Sequence, residues 1–209
     1  MKMSLTPMPN STLTRRGFGG ALVAGISFAL LPQRALALDD ASARALIDRA
    51  LTDVNEIINS GRSEAQMLTD FEGIFTRYAD VTTIARTTLG AAARQASASQ
   101  MSAYTRAFGL YLSHKYGRRF REFIGARIEI TGARPLKSFY EVRSVAYLQG
   151  QAPFELLWYV SGATGKNLFF NIVIEGVDLL NAERTEIGAM LDRRRGNIDA
   201  VIADLRALG

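Results

Sequence analysis

The side chains this sequence offers for acid–base chemistry around an apolar pocket are Asp80, Glu129, Glu155 and Glu175, with a single histidine, His114. Proton transfer would need a carboxylate, or a tyrosine–acid pair, inside the pocket and with a shifted pKa. The four acids fall instead at helix caps, at strand edges or on the strand face opposite the apolar row, which assigns them structural roles. A hydrolytic triad would have to run through His114, and no G-x-S-x-G stretch supplies its nucleophile. One imidazole is too few for an ordinary zinc site. The absence of cysteine excludes disulfides, thiol nucleophiles and thiolate-held metals. No phosphate-cradling P-loop is present. The expectation is a protein that is not an enzyme, with no catalytic residue, no metal and no cofactor.

Apolar periodicity defines the elements that would position any site. Ala45, Leu46, Ala50, Val54, Ile57 and Ile58 recur at helical steps until Asn59-Ser60-Gly61 stops the run. A second helix is predicted from a Ser63 cap through Phe71, Ile74 and Phe75 to Tyr78. Asp80 caps a short third helix that ends at Gly90. From Ser97 a long amphipathic helix aligns Met101, Tyr104, Phe108, Leu112, Tyr116 and Phe120 on one aromatic-rich stripe. Such a stripe is ordinary core unless the surface it faces is left unfilled.

The period then changes to two. Strands are predicted over Arg127–Arg134, Phe139–Gln149, Phe154–Ser161 and Leu168–Glu175, separated by Pro135, Gly150, and Gly162 with Gly165. Tyr140, Val142, Ser144, Ala146 and Leu148 share one face of the second strand; Phe154, Leu156, Trp158 and Val160 share one of the third. In the fourth, alternation sets Leu168, Phe170, Ile172 and Ile174 on one face, with Phe169 and Val173 on the other. Gly176 turns the chain out of the strand and Asp178 caps the next helix. Leu179, Leu180, Ile187, Met190 and Leu191 continue it to Gly196, and Asn197 caps a last helix. The order implies an α+β fold with helices packed on a mainly antiparallel four-stranded sheet.

The first 37 residues stand apart. Arg15-Arg16 precede Phe18 and the apolar run GGALVAGISFALL, too short to span a bilayer comfortably, and the segment closes on Ala35-Leu36-Ala37. This is the layout of a cleavable export signal. The paired arginines resemble a twin-arginine signal; Gly19 and Gly20 stand where such signals often carry Leu and Lys, so a general secretory signal is the alternative. Either route leads to a bacterial periplasm, with one domain over 38–209. Of the formal net charge of +5, Lys2, Arg15, Arg16 and Arg34 contribute four. The remainder is nearly balanced, so the high pI gives no reason to expect nucleic-acid binding. Arg193-Arg194-Arg195 and Arg118-Arg119-Phe120-Arg121 read as solvated helix ends, favoured by the helix dipole.

Several segments together resemble one family. They are FTRYADVTTIARTTLG (Phe75–Gly90), ARQAS, YLSHKYGRRF and NIVIEGVDLLNAERTEIGAML, in this order and at this spacing. The family is the MlaC/toluene-tolerance group of periplasmic phospholipid-binding proteins, and the resemblance spans roughly Ala43 to Leu208. This chain departs from the pattern at Asn171 (usually Asp), Asp178 (usually Ser), Asn167 (often Trp) and Glu183 (usually Tyr).

The resemblance implies a sheet and helices enclosing an apolar cavity, of NTF2-like character, that holds the acyl chains of a glycerophospholipid. It also implies a monomeric carrier that shuttles lipid between an inner-membrane ABC transporter complex and an outer-membrane lipoprotein/porin complex, in a system linked to outer-membrane asymmetry. A sixteen-carbon chain has about 15 methylenes worth about 0.8 kcal/mol each, or about 12 kcal/mol per chain withheld from water. Free crossing of the periplasm would therefore be negligible, and a carrier must offer a comparable apolar environment. The expected lipid contacts are the stripe Tyr104, Phe108, Leu112 and Tyr116, the sheet residues Val142, Ser144, Ala146, Leu148, Leu156, Trp158, Val160, Phe170 and Ile172, and Tyr78 and Leu89 from the family-like segment. Ser144 and Ala146 are small enough to leave space. The alternatives are a carrier of another lipid, such as a hopanoid, or a small NTF2-like enzyme acting on an apolar substrate.

Overall fold

The computed structural model describes residues 38–209; the export signal predicted over 1–37 lies outside the described residues. The helices are α1 (Asp40–Ile58), α2 (Glu64–Tyr78), α3 (Val81–Leu89), α4 (Ala98–Gly117), α5 (Leu179–Arg193) and α6 (Ile198–Leu208). The strands are β1 (Arg127–Leu136), β2 (Phe139–Tyr147), β3 (Phe154–Ser161), β4 (Leu168–Ile174) and β5 (Val177–Asp178). They form one antiparallel meander in the order β1-β2-β3-β4-β5. The fold is α+β, with one very short strand more than the four predicted. That strand exists because Glu175 and Gly176 both take positive φ, 50° and 81°, and so make a two-residue turn. The chain folds back on β4 for two residues before α5 starts.

Each helix begins where a side chain satisfies a free amide. Asp39, Ser63 and Ser97 form reciprocal capping boxes with Ser42, Gln66 and Gln100. Asp80, Asp178 and Asn197 accept from Thr83, Asn181 and Ala200 amides. Between α2 and α3 the chain stays extended at Ala79, which bridges to Phe169, and the Asp80 amide donates to the Phe169 carbonyl at 2.8 Å. This joint fastens the helical layer to β4. Helix α1 packs on β1 and β2, α2 on α1 and α4, and α4 also on α3 and α6. No helix among the described residues is long and apolar enough to cross a membrane.

Alternation in β4 is broken by a bulge, which corrects the predicted facing of two residues. Leu156 pairs with Ile174 and Trp158 with Ile172, but Val160 pairs with Phe169, so Phe170 is the extra residue. The Phe169 ring therefore turns to Trp158 (centroids 5.6 Å apart) and Phe75 (6.2 Å), on the helix side. The Phe170 ring packs instead against Phe139 (5.3 Å) and Tyr159 (6.1 Å). Strict period two had placed Phe170 inward and Phe169 outward; one inserted residue reverses both.

Beside the Phe139–Tyr159–Phe170 aromatic patch, the reverse face of the sheet carries a row of ion pairs. Buried Glu141 accepts from Arg134 Nε at 2.7 Å and lies 3.5 Å from Arg143 Nη2, while Arg143 Nε meets Glu155 at 3.0 Å. Arg127 pairs with Glu129. Glu129 and Glu155 thus belong to an ion-pair row on the face away from the helices, and Asp80 is spent capping α3, accepting from the Thr83 amide and hydroxyl.

Candidate functional site: an apolar cavity between helices and sheet

At one end of the interior the helices and the sheet do not meet. They leave a cavity of about 530 Å³, within the ordinary range for small-ligand pockets, about 300–1,000 Å³. Its helical wall is Leu51 and Val54 of α1, Phe71, Ile74 and Phe75 of α2, and Leu112 and Tyr116 of α4. Its sheet wall is Leu148 beyond β2, Leu156 and Trp158 of β3, and Phe169, Ile172 and Ile174 of β4. Arg119, Glu122, Gln151, Glu175 and Val177 border it as well, and Val177 is 57% exposed. An opening rimmed by charged and exposed residues above an apolar floor suits a ligand with one polar end.

Of the residues predicted to line such a space, Leu112, Tyr116, Leu148, Leu156, Trp158 and Ile172 do border it, and Phe170 touches it from the bulge while its ring packs against Phe139 and Tyr159. Tyr104, Phe108, Val142 and Val160 are fully enclosed by protein further along the same helix and strands. Leu89 is in that packed interior too, and Tyr78 donates its hydroxyl to Asp53 at 2.8 Å. Ala146 fills a smaller cluster with Leu148 and Leu156. Ser144 does not leave space: its hydroxyl accepts the Trp158 indole N–H at 2.9 Å, the partner that a half-buried indole requires.

Sequence reasoning missed the contribution of α1 and α2. Val54, Phe71, Ile74 and Phe75 were legible as helix-face residues, but nothing in their spacing says whether they meet side chains or a void. It also missed the polar part of the wall. Glu183 borders the cavity and is only 3% exposed. Its Oε1 accepts from Lys115 Nζ at 2.7 Å and from the Tyr116 hydroxyl at 2.5 Å. Lys115 also donates to Glu186 Oε2 at 2.6 Å and to the Tyr111 oxygen at 2.9 Å, and Tyr111 donates to Glu186 Oε1 at 2.8 Å. The visible signal was the acid at Glu183 where the resembling family usually has Tyr.

Electrostatics in this cluster follow from burial and pairing. Burial, reinforced by the bond to Glu183, raises the Tyr116 phenol well above its usual value. Tyr111 is pushed up to about 12, by burial first. Burial acts to lower the Lys115 ammonium, but its bonds to Glu183, Glu186 and Tyr111 outweigh that and hold it above the usual lysine range. Burial acts to raise the Glu186 carboxyl, and its bonds to Lys115 and Tyr111 win in the other direction. Both phenols are therefore neutral hydrogen-bond donors at physiological pH. The Tyr116 hydroxyl donates to Glu183 and so fixes the ring at the cavity wall. Among the described residues no group of three or more His, Cys, Asp and Glu side chains is placed to hold a metal ion.

Helices layered on one face of an antiparallel meander, around an apolar cavity that their own side chains leave open, define an α+β protein with a built-in pocket. The chain belongs to the MlaC protein family, whose model matches residues 48–207. Among solved structures it is similar to the phospholipid-binding protein from Ralstonia solanacearum in complex with a phospholipid, at a TM-score of 0.69 and 18% identity. That match covers 79% of this chain and 96% of the other. At this identity the likeness concerns the fold.

Proposed function

We propose that the protein is a periplasmic lipid carrier that holds the acyl chains of a phospholipid in the cavity between α1, α2, α4 and the sheet. The observation that carries this is an apolar space of about 530 Å³ walled almost wholly by aliphatic and aromatic side chains. Membership of the MlaC family and the phospholipid in the similar Ralstonia structure support it. Seated there, acyl chains replace water against Leu51, Phe71, Ile74, Leu112, Leu156 and Ile172. Exchange with a membrane is then near balance and needs no nucleotide.

In this proposal residues 1–37 direct export and are removed, leaving a monomer of one domain that begins at Leu38. The carrier passes lipid between an inner-membrane ABC transporter complex and an outer-membrane lipoprotein/porin complex, which set the direction. Tyr116 and Trp158 contact the cargo with their ring faces, each anchored at its polar end by Glu183 and Ser144. Tyr104, Phe108, Val142 and Val160 stand behind as frame. This proposal assigns no catalytic step to the cavity wall.

The test is organic extraction of the purified protein followed by mass spectrometry. Phospholipid at about one molecule per chain is the expected result. A hopanoid or another lipid in its place replaces the cargo but keeps the carrier, and an empty protein overturns the proposal.

A further inference from the structure

The cavity is open at one end and stops abruptly at the other. On α1 its lining runs from Val54 back to Ala50 and ends before Ile47. On α4 it runs from Tyr116 to Leu112 and ends before Phe108, and on β3 from Leu156 to Trp158, ending before Val160. Ile47, Phe108 and Val160 are all fully enclosed, so the helices and the sheet close at one level. Three aromatic rings stand across that level. Phe169 meets Trp158 and Phe75 edge-on, with interplanar angles of 79° and 62°. The bulge at Phe170 is what turns the Phe169 ring to this side.

The wall is held from behind. The Trp158 indole N–H is fixed on Ser144 at 2.9 Å. The Phe169 carbonyl accepts the Asp80 amide at 2.8 Å, beside the bridge to Ala79. A close-packed interior behind these rings gives way little. From Phe169 to Ile174, near the rim, β4 climbs about 16 Å at the usual strand rise. An extended chain advances about 1.2 Å per bond. About 13 carbons therefore fit between the rings and Ile174, and the rim at Glu175 and Val177 takes a few more.

We infer that the Phe75–Trp158–Phe169 wall sets the length of acyl chain that the cavity takes, with the best fit at about 14–16 carbons. This inference rests on the carrier proposal and goes beyond it: the same cavity selects among lipids by the depth of their tails. A longer chain must buckle against the rings or leave methylenes at the open rim, where each costs up to about fourfold in affinity. A shorter one leaves apolar wall uncovered.

The test loads the purified protein from vesicles holding equal amounts of phosphatidylglycerols whose tails run in even-numbered steps from about 12 to about 20 carbons, on either side of the expected fit. Bound lipid is measured by mass spectrometry. Recovery with the wild-type protein should peak at about 14–16 carbons and fall severalfold by about 20. Phe169→Ala should move the peak about two to four carbons longer, the room that a lost phenyl ring leaves after partial collapse. Phe75→Ala should move it the same way; its ring borders existing space, so it reads the wall even if Phe169→Ala does not fold. Ile174→Ala widens the cavity near the rim without deepening it, so it should lower recovery and leave the peak where it was. A wild-type profile without a peak overturns the inference, as does a peak that neither Phe169→Ala nor Phe75→Ala moves. An equal shift in Ile174→Ala overturns it too, because volume rather than depth would then select. Wild-type protein that takes up none of these lipids overturns the carrier proposal itself, and this inference with it.

Discussion

Along α4, two neighbouring turns of one apolar stripe meet opposite surroundings. Tyr104 and Phe108 stack at 5.6 Å between centroids, closed off from solvent, and the Tyr104 hydroxyl shares a hydrogen bond with Thr88 at 3.0 Å. One turn further on, Leu112 and Tyr116 border the cavity. The inner sheet row divides in the same way: Val142 and Val160 are fully buried in the packed cluster, whereas Leu156, Trp158 and Ile172 reach the cavity wall. At the filled end, α6 lies against α4 and supplies buried Val201, Ile202 and Leu205. At the hollow end α4 stops at Gly117 and the chain leaves through a short 3-10 turn. A stripe therefore becomes core or pocket according to whether a further element supplies side chains opposite it. The filled end holds the fold, and the hollow end is free to hold something else.

The sharpest way to break this contrast is truncation. Phe108→Ala should cost about 3–5 kcal/mol in urea unfolding, the usual loss for an enclosed aromatic. Phe75→Ala, facing existing space, should cost half that or less, and equal losses would erase the distinction between the two ends. Enlargement gives the next largest effect. Val142→Trp has no room and should lose about 1–3 kcal/mol or more. Ile172→Trp should change stability by about 1 kcal/mol at most while lowering the lipid recovered with the purified protein; unchanged lipid would argue that Ile172 does not meet the cargo. Ser97→Ala removes the α4 capping box at the end away from the cavity. It should cost about 1 kcal/mol and leave recovered lipid unchanged.

The smallest effect is a pH dependence at the hollow end. Glu186 is held below its usual value, so its contribution is present above the ordinary glutamate range, about 4.3, and fades as the pH falls through its lowered folded value. Lys115 is held above its usual value, so its contribution is present below about 10.4 and fades as the pH rises through its raised folded value. Both side chains are partly exposed, which limits the pair to below about 1 kcal/mol. The stability deficit of Lys115→Met, measured by urea unfolding, should hold steady from mildly acidic to mildly alkaline pH and shrink in strong acid. A deficit that grows in acid would contradict the pairing.

Much of the scaffold was legible because its signals are local. Ser63, Asp80, Ser97, Asp178 and Asn197 announced helix starts, since a short polar side chain before an apolar run satisfies amides that nothing else reaches. The strands were legible from period two. The turn at Glu175-Gly176 was only half legible: the glycine was visible, but the short β5 depends on Val177 and Asp178 finding hydrogen bonds on β4. The bulge at Phe170 was not legible at all. FFN reads as unbroken alternation, and only the register against β3 shows which residue is the extra one.

The site divides along the same line. By itself the sequence determined the elements, their order, the apolar faces they present and the absence of thiol chemistry, because each depends on residues close together in the chain. Whether those faces touch was decided only by the tertiary structure. Tyr104 and Tyr116 lie on the same predicted stripe, yet one is core and the other wall. Likewise nothing near Glu183 in the chain announces that Lys115 and Tyr116, 68 and 67 residues away in sequence, bring four hydrogen bonds to the cluster and leave one Glu183 oxygen without a partner. A void, and a hydrogen bond left unmade, are properties of what several distant segments fail to supply together, and no single segment carries the record of that.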